Sequence, residues 1–141
     1  LYQYSVLKKN DDVKTYVLEK ITDIISQTNF SRTNFCDGLA GVLWLYKYVY
    51  KKENIVTEDF NDANNLILED FSFQLENGFY EFLYGAIGYG LYFLEDYRKK
   101  SHQNALNLLV DKFYNNPVWK ASPTEVEIDG YDIGIAHGLS G

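Results

Sequence analysis

The sequence predicts an all-α protein made of two layers of helices, an α/α arrangement that closes as a toroid or curves as a solenoid. Amphipathic and almost wholly apolar helical segments alternate along the chain. Glycine pairs three residues apart recur at Gly38/Gly41, Gly85/Gly88 and Gly138/Gly141, with first glycines 47 and 53 residues apart, a period typical of helical-hairpin repeats. The apolar segments that follow the first two pairs have almost no polar face, so they need an inner position. A flat bundle leaves the repeat unexplained.

From Asp12 to Gln27 the residues Val13, Tyr16, Val17, Ile21, Ile24 and Ile25 recur at helical spacing, with Lys14, Glu19, Lys20 and Asp23 elsewhere on the circle. This is an outer, amphipathic helix. An inner helix follows from about Leu39 to Lys51, carrying Val42 to Tyr46 and Tyr48 to Tyr50, and its composition asks for burial on all sides. Thr57 reads as an N-cap with Glu58 and Asp59 in the first turn of a second outer helix bearing Phe60, Ala63, Ile67, Phe71 and Leu75. Phe79 to Tyr84 then leads into the second glycine pair and a second inner helix, which exits at Glu95 to Lys100. Ser101 reads as the cap of a third outer helix to about Asn115, ended by Asn116-Pro117. Residues 117–132 hold two prolines and the alternation Thr124-Glu125-Val126-Glu127-Ile128, which predicts an irregular segment with one short strand.

Composition removes several functions. Twenty acidic and thirteen basic residues give a net charge of −7, which opposes nucleic-acid binding. The longest uninterrupted apolar run, Val42 to Tyr46, falls far short of the roughly 20 residues of a membrane span. The single cysteine, Cys36, excludes an internal disulfide and points to a cytoplasmic setting.

Glycines three apart at a helix start let neighbouring groups approach and leave first-turn N–H groups uncovered, so several such starts facing one centre would make a donor-rich rim. The plain structural alternative is that they only let inner helices crowd together. His137 stands directly before the third pair, and an imidazole suits proton transfer or metal ligation. Glu81, four residues before Gly85 in an apolar stretch, is either its carboxylate partner or a partly exposed loop glutamate. Cys36 reads as a buried inert thiol and Asp37 as an N-cap.

Three segments resemble the lanthionine synthetase C-like family: Gly38-Leu39-Ala40-Gly41, Tyr80 to Gly88, and Ile133-Gly134-Ile135-Ala136-His137-Gly138-Leu139-Ser140-Gly141. The last is the most specific, matching a Leu-Gly-x-Ala-His-Gly-x-x-Gly signature almost position for position. The resemblance implies an α/α toroid around a zinc ion that adds cysteine thiols to dehydrated serine or threonine residues of a precursor peptide. It implies His137 as the catalytic histidine and places Glu81 where the family usually carries an aspartate, also catalytic. The precursor lanthipeptide is the implied partner, with a dehydratase as a candidate second one. The family's zinc ligands, two cysteines and a histidine, lie in its C-terminal half, and Cys36 matches none of them. Residues 1–141 are therefore expected to be the N-terminal part of one incomplete toroid domain that alone binds no zinc tightly and closes no ring.

Two other functions compete. A noncatalytic member of the family would bind a peptide or act as a scaffold. A glycoside-processing toroid would need a second central acid, for which Asp37 and Asp132 are the candidates in register.

Overall fold

A computed structural model describes residues 1–27, 30–56 and 60–115. Six helices occupy them: α1 (Tyr2–Lys8), α2 (Asp11–Gln27), α3 (Leu39–Lys52), α4 (Asn61–Glu76), α5 (Ala86–Glu95) and α6 (Lys100–Asn115). The fold is all-α. The expected irregular segment at 117–132 lies outside the described residues.

The pairwise contacts centre on the two apolar helices. Helices α3 and α5 pack on each other, α2 covers α3, α4 lies against both, and α6 covers α5. Where they meet, Phe71 of α4 sets its ring edge-on to Phe93 of α5 at 5.1 Å and 85°, both fully buried beside Leu43, Ile67 and Tyr89. Edge-to-face contact adds a directional term to an already large apolar burial. Gly90 brings α6 close, since a Cβ there would stand 3.0 Å from Leu109 Cδ2.

Burial of the inner helices is less complete than their composition demands. Leu45 of α3 is 40% exposed and Leu94 of α5 54% exposed, because the neighbouring helices leave one side of each uncovered.

Two helix starts and one whole helix differ from the sequence reading. Helix α4 starts at Asn61 with Phe60 at its N-cap, where the Phe60 ring packs edge-on to Tyr46 at 5.4 Å and holds the backbone outside the helix. Thr57, its expected cap, lies outside the described residues. Helix α6 starts one residue before Ser101, because the Lys99 carbonyl already accepts the N–H of Gln103. Helix α1 has no counterpart among the expected elements. Tyr2 holds it by donating to Glu53 at 2.7 Å, and burial, then that carboxylate, push the phenol up to about 12.

Helices α3 and α4 end alike. Asn54 (φ 55°) and Gly78 (φ 74°) adopt left-handed conformations, and the next residues, Ile55 and Phe79, return their N–H groups to Tyr50 and Gln74. This six-residue return satisfies the last carbonyls. After α4 it delivers the chain into the second glycine loop.

Candidate functional site: two copies of one loop

The segments before Gly38 and Gly85 fold alike, 47 positions apart. Gly38 and Gly85 are the N-caps of α3 and α5, with extended backbone at φ −121° and −103°. Leu39 donates its N–H to the Arg32 carbonyl at 3.0 Å, and Ala86 donates to Phe79 at 2.8 Å, the same bond one repeat later. Each loop thus doubles back over the start of its own helix.

That path sets the need for glycine. A Cβ on Gly38 would lie 2.6 Å from the Asn34 nitrogen, and one on Gly85 2.6 Å from that of Glu81. On Gly41 it would lie 2.0 Å from the Phe35 carbonyl oxygen and on Gly88 2.2 Å from that of Phe82. No L side chain fits at these distances. The crowding expected of these glycines is therefore mainly loop against helix start; Gly88 alone also faces the other repeat, 2.8 Å from Phe35 Cβ.

In the two described loops the donor-rich rim does not form as expected. The N–H groups of Leu39, Ala40 and Ala86 are taken by the carbonyls of Arg32, Thr33 and Phe79, so the loops consume first-turn donors that a ligand would need.

What the loops present outward is side chains. Cys36 donates its N–H to the Leu83 carbonyl at 2.9 Å, joining the two loops edge to edge. This turns the Cys36 side chain outward, correcting the expectation of a buried thiol. The Tyr84 phenol, 44% exposed, lies beside that thiol, and hydrogen bonding to Cys36 holds it above its ordinary titration range. Asp37 is not the N-cap, because Gly38 occupies that place. Its carboxylate is held low, first by Asn34 and then by its ion pair with Arg32.

An open groove of about 670 Å³ runs from Tyr84 past Arg32 and Asn34 to Leu66, Glu69 and Asp70 of α4. Its floor is fixed by Asp70, which accepts from Thr33 and Tyr89. Burial, then this carboxylate, raises the Tyr89 pKa, so the phenol stays a donor.

Of the residues nominated from sequence, His137 and Asp132 lie outside the described residues. Glu81 is neither a partly exposed loop residue nor simply open to the centre. It is 1% exposed, with Oε1 accepting the Leu83 N–H at 2.7 Å and Oε2 the Tyr84 N–H at 2.6 Å. Asn34 and Tyr84 were missed. Register would have found both, since Asn34 and Glu81 each precede their glycine by four, and Asp37, Tyr84 and His137 each precede theirs by one.

Zinc has no evident seat here. Among the described residues no three His, Cys, Asp or Glu side chains gather into a metal-holding group. The soft donor Cys36 has a phenol and an Arg32–Asp37 pair as neighbours, which do not make a zinc set. No helix among the described residues is long and apolar enough to cross a membrane.

Neither the curated proteins nor the solved structures compared with the chain give a match. One family does match, that of the lanthionine synthetase C-like proteins, over residues 1–141. With its glycine loops repeated in sequence and in hydrogen-bond pattern, the chain belongs to the lanthionine synthetase C-like family.

Proposed function

We propose that residues 1–141 are the N-terminal part of one α/α-toroid domain of a lanthionine synthetase-like cyclase, acting in the cytoplasm on a precursor peptide already treated by a dehydratase. The observation that carries this reading is the family match along the whole chain. The loop register supports the assignment of residues.

The reaction joins a cysteine thiol to dehydroalanine or dehydrobutyrine. The thiolate sulfur bonds to the β-carbon, the double-bond pair moves to the α-carbon as an enolate, and a proton must reach that carbon. An imidazole with an ordinary pKa of about 6.5 can deliver a proton at neutral pH and be recharged by the one the thiol gives up. His137 is assigned that transfer, and Glu81 shapes the loop one repeat earlier in the chain. Zinc enters only as a family expectation: the described residues do not fit it, and its ligands are proposed to lie outside residues 1–141.

The test uses the whole gene product, zinc, and a synthetic peptide carrying one cysteine and one dehydroalanine. Loss of alkylatable thiol without change of peptide mass is the expected result. Peptide binding with the thiol left free would favour a noncatalytic, peptide-binding member of the family. Zinc stoichiometry on the isolated chain is expected to be well below one, and one tightly held ion per chain would overturn that part.

A further inference from the structure

The two loops meet the same backbone demand with different side chains. In the first, Asn34 Oδ1 accepts the N–H of Asp37, three residues on, at 3.0 Å. In the second, Glu81 Oε2 accepts the N–H of Tyr84, also three residues on, at 2.6 Å.

The difference lies one residue earlier. The Cys36 N–H leaves its own loop for the Leu83 carbonyl at 2.9 Å, so Asn34 has one amide to hold. The Leu83 N–H turns inward to Glu81 Oε1 at 2.7 Å, so this loop has two. One amide oxygen serves one aligned donor well, and two diverging donors call for the two oxygens of a carboxylate. A glutamate at 81 and an asparagine at 34 therefore follow from how many backbone donors each loop leaves over.

We infer that Glu81 is a positioning residue: its carboxylate fixes the backbone of Leu83 and Tyr84, and through it the Tyr84 phenol at the rim, and its part in ring formation does not run through a proton of its own. The second half of this statement rests on the cyclase reading. The first half stands without it.

The experiment compares Glu81→Asp, Glu81→Gln and Glu81→Ala in the whole gene product with the same cysteine–dehydroalanine peptide, alongside amide exchange of residues 82–85. Aspartate, which readily accepts from N–H groups two and three residues on, should keep the rate within about threefold. Glutamine should stay within about tenfold with an unmoved pH profile, since it retains one acceptor. Alanine should slow ring closure further and speed exchange of the Leu83 and Tyr84 amides by about ten- to a hundredfold, the loss expected of a charge-assisted hydrogen bond.

A fall of about 10²–10⁴ in Glu81→Gln with one limb of the pH profile gone is the signature of a lost general acid or base, and would overturn the inference. So would unchanged amide exchange in Glu81→Ala. If the unmodified protein closes no ring, the cyclase reading fails, and amide exchange still decides whether Glu81 holds the loop.

Discussion

At the scale of single residues, His102 couples this fold to pH. It is fully buried, with Nδ1 3.1 Å from the Asp96 carbonyl oxygen, so Nδ1 carries the proton and donates, while Nε2 has no hydrogen-bond partner. Lys47 of α3 and, between α5 and α6, Asp96 and Lys99 are the charged groups around it, and the Tyr92 ring of α5 packs beside it with its hydroxyl bonded to both Lys47 and Asn64. Burial first, then the Lys47 ammonium, lowers its pKa below the ordinary 6.5. The folded state therefore binds this proton less readily than the unfolded chain. The stabilisation is complete above about pH 6.5 and is lost progressively as pH falls below it. Urea unfolding at pH 7.5 and 5.5 should show the acid loss, and His102→Phe should flatten it; an unchanged slope would remove His102 as its source. Gly41→Ala and Gly88→Ala bring a Cβ to about 2 Å from a backbone oxygen. Each should cost about 3 kcal/mol or more in the same assay, the upper end of overpacking effects.

At the scale of elements, what could be read from sequence was what repeats or carries a long amphipathic period. Helices α2 and α3 begin or end within a residue of expectation, because Val17, Ile21 and Ile25 or the run from Val42 mark them internally. Helix α1 was not legible, being seven residues long and held by Tyr2 and Gln3 reaching to Glu53 and Tyr48 of distant sequence. Such a helix owes its existence to tertiary partners rather than to its own pattern. Tyr2→Phe removes one of them and should release α1 at a cost of about 1 kcal/mol, seen as faster amide exchange in residues 2–8 with α5 unaffected. The α4–α5 contact is the opposite case. Phe71→Ala should cost about 3–5 kcal/mol, since the ring is 1% exposed and packs edge-on against both Tyr89 and Phe93. The glycine loops were legible from their spacing, but the exposure of Cys36 and the hold of Glu81 on two amides depend on which neighbouring acceptor each N–H meets. No local pattern encodes that.

At the scale of the molecule, the described residues leave large apolar side chains open along one side of α6, with Val110 64%, Phe113 39% and Tyr114 85% exposed. Patches of this kind mark contact surfaces. The chain of residues 1–141 should self-associate at high concentration, and a monodisperse monomer by light scattering would contradict this. The opposite property of the fold is its ordered rim, where two copies of one loop are joined by the Cys36–Leu83 hydrogen bond and set Asp37 and Tyr84 at matching positions. In the sequence, His137 holds the same register position before the third glycine pair, and the proposed chemistry rests on it. The most direct test is ring formation by His137→Ala in the whole gene product with the cysteine–dehydroalanine peptide, alongside its far-ultraviolet circular dichroism. A loss of at least about a hundredfold in rate with the helical signal intact is the predicted result. Ring formation at the unmodified rate would contradict it.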